Sequence, residues 1–458
     1  MSSPESSQAA ACQGGGRRWS ACLRGLGVTG LLVAGAVLAA PPLAIDDCTA
    51  YALQHSPKLH KLELAHTDQE LQTAIEKAEY LPHFRLDTRR AQSSDTEAGA
   101  VSMSLPTITG FDLATSLEAN HGRDPEEEGA AYSVRLSKQI LGGDSWRERR
   151  FVIEESVIDQ AVALNQVTRQ RRQLALEVKT AFYQIIRDLQ SLPVQQRRLE
   201  RARKNLEQAI EREKPLDINT ARIEIPASEL AVLAAQRTIA TGLDSLKVVI
   251  GMPVTEELQI AESFEFRPAQ TDVTADLEYA TGHDEEFLNN RLENVKRKQR
   301  VDITRAKVWP DVVLAVEQEK ASDPPGYELD GDGDLILSLG LAWNWASKGE
   351  KATLMQAINA VRANETDYFI LAQAKTQRLR ELDRKLKETG SSVELQQQRV
   401  ELLSRQVELF SDRWENGEID ILELIRSQTD LENAKVELIS LKAGYMELLA
   451  EYEFAAGR

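Results

Sequence analysis

The sequence predicts a mainly helical fold with a small set of membrane-type strands, built by duplicating one strand-plus-long-helix unit. Three observations carry this. The chain repeats itself: at an offset of 228, Tyr51 falls on Tyr279, Ala52 on Ala280, His55 on His283, Leu64 on Leu292, Ile75 on Ile303, Ala78 on Ala306, Pro82 on Pro310 and Leu86 on Leu314. Several short stretches alternate apolar and polar residues with period two. Between them run long, charged stretches rich in Ala, Leu, Glu, Gln and Arg, a composition that suits long helices.

Composition narrows the function classes. Aromatic residues make up 5% of 458, and Gly and Pro number 25 and 15. That is lean for a loop-rich catalytic globule. The formal charge of −17 argues against a nucleic-acid partner, whose phosphates call for a basic face. Arg17, Arg18 and Arg24 precede the apolar run 26–40, and small residues follow it to Leu43 and Ala44. This pattern predicts a signal peptide over 1–44. The alternative is an uncleaved anchor, but the run is short against the roughly 20 apolar residues a spanning helix needs. No later segment is long and apolar enough for a membrane helix, so entry into a bilayer would be by strands. Cys12 and Cys22 lie in the signal, and Cys48 alone offers neither an internal disulfide nor a metal cluster.

The two repeats are expected at 45–270 and 271–458. Ser56-Pro57 opens a helix, with Ser as N-cap and Pro at the first helical position; His283-Asp284 opens its counterpart. Each helix stops before a proline, Pro82 or Pro310, and the period then switches to two. Phe84, Leu86 and Thr88 alternate with Arg85, Asp87 and Arg89. Phe111, Leu113, Thr115, Leu117 and Ala119 alternate with Asp112, Ala114, Ser116 and Glu118. Tyr132, Val134, Leu136 and Ile140 alternate with Ser133, Arg135, Ser137 and Gln139. Leu335, Leu337, Leu339, Leu341, Trp343 and Trp345 alternate with Ile336, Ser338, Gly340, Ala342 and Asn344. Each strand thus has one apolar and one polar face. In a sandwich the apolar face meets a second sheet. In a membrane barrel it meets lipid, the polar face lines water, and Trp sits at the interface. The strands are too few and too dispersed for a second sheet, which favours the barrel.

Serines at 145 and 347, each with Glu three residues on, read as capping boxes that start long helices. A turn near Leu192-Pro193 and another at Gly390-Ser391-Ser392 are expected to fold these into antiparallel hairpins. The last helix carries Leu424, Leu431, Leu438, Tyr445 and Tyr452 at seven-residue spacing, a seam that coils against partner helices. One hairpin has too little mass to bury both its seams, so self-association is expected. Both return helices are expected to break at one height, at 214–228 in the first copy and 415–421 in the second.

The opening Ile45-Asp46-Asp47 with Tyr51-Ala52-Leu53 and Ser56-Pro57 resembles the start of the mature TolC-type outer-membrane channel proteins. So do the strand-to-helix junction Gln139-Ile140-Leu141-Gly142-Gly143, the segment Leu246–Pro253 and the segment Arg413–Asp420 with Leu422 and Leu424. The resemblance covers nearly everything after residue 45. It implies a homotrimer in outer-membrane lipid, most of it in the periplasm. In the family each chain lends four strands to one transmembrane β-barrel, continuous with a long trimeric α-barrel that closes at its far end. A periplasmic adaptor protein docks there and links the tube to an inner-membrane pump. The implied function is an exit duct of a tripartite efflux or type I secretion system. The alternative is a periplasmic coiled-coil scaffold or adaptor without a pore. The segments 101–105 and 111–119 read as an extra hairpin beyond the family's two strands per copy. Lys214-Pro215 also replaces the glycine expected at the first break.

The site expectations follow. Arg85, Asp87, Arg89, Arg135 and Gln139 line the barrel lumen, while Leu337, Leu339, Leu341, Trp343 and Trp345 face lipid and its aromatic girdle. Asp188, Leu192, Gly390, Val393, Glu394 and Leu395 sit at the hairpin tips as adaptor contact or gate, or else pack the hairpins in the ordinary way. Gly417 and Asp420 form an equatorial turn. Glu394 and Glu401 form acidic rings near the closed end, or are simply solvated. No HExxH, CxxC, GxSxG, P-loop or GxGxxG motif occurs, so neither enzyme activity nor a cofactor or metal is expected. His55 and His283 recur with the duplication, which favours a structural role. Asp330–Asp334 lacks the spaced ligands and distal Glu of a calcium loop.

Overall fold

The computed structural model describes residues 43–91, 96–121, 128–142, 146–261, 266, 268–322, 326–329, 333–343 and 348–458. The expected signal peptide, apart from its last two residues, lies outside them. So do the capping serines at 145 and 347, Trp345, and most of the acidic loop at 330–334.

In chain order the first repeat contains helices α1 (Ile45–His55) and α2 (Pro57–Ala78), strands β1 (His83–Ala91), β2 (Thr96–Pro106), β3 (Phe111–His121) and β4 (Gly129–Leu141), then helices α3 (Trp146–Glu211) and α4 (Pro215–Ile250). The second contains α5 (Val273–His283), α6 (Glu285–Lys307), β5 (Asp311–Ala321), β6 (Asp334–Ala342), α7 (Lys348–Glu415) and α8 (Ile421–Ala455). The duplication is therefore not free of gaps. α5 begins 228 residues after α1, but α7 begins only 202 after α3. The offset falls by 26, the length of the segment 96–121 that holds the β2–β3 hairpin.

The repeat extends to local detail. Tyr51 stacks on His55 with ring centroids 4.1 Å apart, and Tyr279 stacks on His283 at 4.2 Å. Each His Nδ1 also lies beside the carbonyl of its Tyr. Both histidines thus have the structural role that their recurrence suggested.

The helical hairpins turn elsewhere than the sequence reading placed them. α3 runs unbroken through Pro193, and α7 runs unbroken through Gly390. At about 1.5 Å per residue, helices of 66 and 68 residues are each about 100 Å long. An internal proline costs roughly 3 kcal/mol and disfavours a helix locally. Here it is outweighed by packing before and after the proline: Ile185, Ile186, Val194, Ala202 and Ala209 of α3 are all buried. Gly390 makes no turn; it lies in α7 across from Tyr445, with room for ordinary van der Waals contact. The reversals occur at 212–214 and 416–420, the segments read from sequence as equatorial breaks.

The equator is built from other pieces. α1 packs on the middle of α3, where Cys48, Ala52, Leu174, Val178, Phe182, Ile186, Leu246 and Ile250 form a core. α5 packs on α7, where Leu379, Leu382, Leu386, Tyr445 and Tyr452 form another. Burial pushes the Cys48 thiol up to about 11, so it stays an inert core thiol. Four members of the predicted seven-residue seam, Leu424, Leu431, Tyr445 and Tyr452, are buried.

Candidate functional site

The six strands form one antiparallel sheet in sequence order, β1-β2-β3-β4-β5-β6. Register determines its faces. Leu86 lies opposite Val101, Val101 opposite Leu117, and Leu117 opposite Tyr132. Leu136 lies opposite Val316 and Val316 opposite Leu337. The apolar residues of all six strands therefore lie on one side of the sheet, interrupted on β5 by Gln318 and Lys320. A bulge between Gln139 and Leu141 absorbs Ile140 as the extra residue without disturbing the pairing before it. Arg85, Asp87, Arg89, Arg135 and Gln139 share the other side with Ser102, Ser116, Ser133 and Ser338. There Arg135 stands opposite Glu317, and Gln139 donates to Asp311 Oδ1 at 3.1 Å.

The apolar side is bare. Phe84 is 75% exposed, Leu337 70% and Leu339 69%. Fully burying one leucine contributes about 1.5–3 kcal/mol, so the four leucines of β6 leave roughly 6–12 kcal/mol unrealised while they face water. That rivals the whole stability of an ordinary domain, about 5–15 kcal/mol. Nothing else in the described chain covers this face. Among the described residues no helix is long and apolar enough to cross a membrane.

The helices form a layer with a definite order. α2 and α4 pack on one flank of α3, α6 and α8 on the other, and α7 lies beyond α6 and α8. The layer therefore has two open edges, α2 with α4 and α7. They fall on the same sides as the open strands, because β1 follows α2 and β6 precedes α7. Both helix edges carry exposed apolar residues at seven-residue spacing: Leu216, Ile223 and Leu230 on α4, and Leu395, Leu402 and Leu409 on α7.

At the far end of the helices the two turns pack on one another. Ala209, Ala221, Trp414, Ile421 and Leu424 bury a small core. Arg212, from the first turn, lies 3.9 Å over the Trp414 ring and donates to the carbonyls of Trp414 and Glu415 at the C-terminal end of α7, the first of which also accepts from the Gly417 N–H. The first turn places Glu213 at φ 56, and the second places Gly417 at φ 79. The first turn thus adopts the same left-handed backbone as the second without a glycine. Above the tips, Arg198 bonds Glu224 at 2.6 Å and Arg201 meets Glu432 at 2.9 Å, which ties α3 to α4 and α8. Burial pushes the Glu432 carboxyl up from its ordinary value; the cations Arg201, Arg198 and Lys435 oppose this only in part.

No protein-family model matches the sequence, and no curated protein does. Solved structures do. The chain is similar to CusC, in a study of transmembrane channel formation, with a TM-score of 0.70 and 12% identity over 90% of this chain and 92% of that one. It is similar to the outer membrane protein VceC of Vibrio cholerae, with a TM-score of 0.67 and 14% identity over 90% and 96%. It is also similar to the open outer membrane channel MtrE of Neisseria gonorrhoeae, with a TM-score of 0.69 and 14% identity over 90% and 88%. The fold is that of the TolC-type outer-membrane channels.

Within the TolC-type fold the residues singled out in the sequence separate into two groups. The five polar strand residues share the polar sheet face, and Leu337, Leu339 and Leu341 share the apolar one. Trp343 follows at the helix-side rim of the sheet. The six residues expected at hairpin tips are not there. Asp188 and Leu192 lie inside α3, and Gly390, Val393, Glu394 and Leu395 lie inside α7. Val393 is buried, whereas Leu395 belongs to the exposed seam of α7. Asp188 pairs with its neighbour Arg187. Glu394 and Glu401 are exposed on α7, and Glu401 pairs with Arg405 one turn on. Gly417 and Asp420 are at a tip, not at the equator. Sequence reading missed Arg212, Glu213 and Trp414, which build the tips. It also missed Trp146 and Trp309, which line a cavity with Ile140, Leu141 and Ala306 at the sheet–helix junction. The helix-breaking pair Lys214-Pro215 and the Gly at 417 are the available signals, and both mark the tips rather than the equator.

Proposed function

We propose that the chain is one subunit of a homotrimeric exit duct that crosses the outer membrane by its strands and the periplasm by its helices. The observation that carries this is the match of open edges: β1 with α2 and α4 on one side, β6 with α7 on the other, and one uncovered apolar sheet face between. Strand edges expose unpaired backbone groups that invite another strand, and a closed barrel is the only sheet that satisfies them in lipid. Copies joined edge to edge would pair β1 with β6 of the next copy and α4 with its α7. Lipid would meet the apolar face, and the polar face with Arg85, Asp87, Arg89, Arg135 and Gln139 would line the bore. Such a duct performs no chemistry; cargo is delivered by an inner-membrane pump through a periplasmic adaptor protein.

The docking surface proposed for the adaptor moves to the observed tips, 212–214 and 416–420. They are the end of the helical layer furthest from the sheet, which is where a periplasmic partner would meet the tube.

Purified protein added to a planar bilayer tests this reading. The duct gives discrete conductance steps that vanish when the trimer is dissociated. A scaffold without a pore stays soluble without detergent and gives none.

A further inference from the structure

We propose that the β2–β3 hairpin is barrel wall, so that each copy contributes six strands and three copies close an eighteen-stranded barrel. This rests on the duct reading above. Without the hairpin each copy would supply four strands and three copies twelve.

Register is the first support. The rows Leu86–Val101–Leu117–Tyr132 and Phe84–Met103–Thr115–Val134 pass through the hairpin without a slip. A slip of one residue would turn its apolar side into the bore. Fastening is the second. The turn residue Gly110, at φ +82, lies so close to Trp146 that a Cβ would stand 2.9 Å from the Trp146 Cβ. Arg149 donates to the Thr107 carbonyl at 3.1 Å and grips both carboxylate oxygens of Asp112. The turn is thereby clamped to the first turns of α3, at the same rim where β4 hands over to the helix. Length is the third: β2 and β3 have 11 residues each, close to the about 9–11 that a tilted membrane strand needs. A loop that merely capped or plugged the mouth would require none of these three.

Barrel diameter grows roughly linearly with strand number, so eighteen strands make a mouth about half again as wide as twelve. The hairpin lines its bore side with small residues, among them Ala100, Ser102, Ala114 and Ser116, which preserve that width. The outer mouth therefore admits hydrated polymers that a twelve-stranded mouth excludes. Removing Thr96–His121 would bring β1 beside β4 with Leu86 opposite Tyr132, the faces unchanged.

Electron cryomicroscopy of the full chain in lipid nanodiscs tests the proposal; three copies around eighteen strands are expected. Three copies around a twelve-stranded wall, with β2–β3 outside it, overturn the inference and leave the duct reading standing. A particle without a barrel overturns both. A second measurement places a thiol at Ser133→Cys, with the native cysteines replaced by serine, and offers maleimide-polyethylene glycols of graded size from the barrel side. The full chain is expected to react with larger polymers than the variant lacking Thr96–His121. An equal size limit in two intact trimers overturns the wider mouth.

Discussion

Glu213 occupies a backbone conformation that costs an L-residue about 1–2 kcal/mol and a glycine almost nothing. At φ 56 it does for the first tip what Gly417 at φ 79 does for the second. Glu213→Gly is therefore expected to leave the fold intact and raise stability by about 0.5–1.5 kcal/mol, and Gly417→Ala to lower it by about 1–2 kcal/mol, both read from chemical melts. A destabilising Glu213→Gly would show that the side chain, not the backbone, matters there. Pro193 makes a complementary test. Inside a continuous helix its replacement by Ala should raise the melting temperature, whereas a proline that made a turn would be missed. Sequence reading favoured the turn because Pro and Gly are the strongest local breakers. Local rules do not contain the long-range packing that carries α3 through Pro193 and α7 through Gly390. The alternating strands were legible because a period of two needs no distant partner to be recognised.

Individual elements are held by charge as much as by apolar contact. At the α5–α6 junction Asp284 and Glu285 are buried, and Arg172 meets Glu285 at 2.8 Å while Lys375 meets Asp284 at 2.8 Å. Arg172→Ala leaves a buried carboxylate without its nearest cation and is expected to cost about 3–5 kcal/mol in a denaturant titration. A loss below 1 kcal/mol would mean that water already reaches the site. Between α3 and α8, Glu432 titrates at a value raised by burial. The folded form then binds a proton more readily than the unfolded chain, so the contribution of Glu432 to stability is greatest at acid pH. It weakens as pH rises through the raised value. Amide hydrogen exchange in the first half of α8, corrected for the intrinsic rate, should therefore show better protection at mildly acidic than at neutral pH. Glu432→Gln should flatten this dependence. Protection that falls on acidification would contradict the sign. None of these pairings was visible in the sequence, since the partners lie between 91 and 231 residues apart and share no motif.

For the whole molecule, closure by further copies is the requirement that the exposed seams impose. Ile223→Asp on α4, and separately Leu402→Asp on α7, places a charge in a seam that one copy cannot bury. Each is expected to shift the detergent-solubilised protein from trimer to monomer in native mass spectrometry while leaving the helix content unchanged. Retention of the trimer by both would remove the α4–α7 seam from the interface. The duplicated plan was legible in advance because Tyr51, His55, Pro82 and their counterparts keep one offset. Self-association was expected from the helical seams, but the number of copies only through resemblance, since a single chain's periodicity does not say how many copies close a ring.

In the proposed duct, lipid covers the apolar sheet face and water the polar one. Spin labels at Leu337→Cys and Ser338→Cys, in protein reconstituted into liposomes, test it most directly by comparing relaxation by oxygen with relaxation by a water-soluble nickel chelate. The label at 337 is expected to respond to oxygen and the label at 338 to nickel. Equal nickel access at both positions, or neither agent reaching 337, would contradict it.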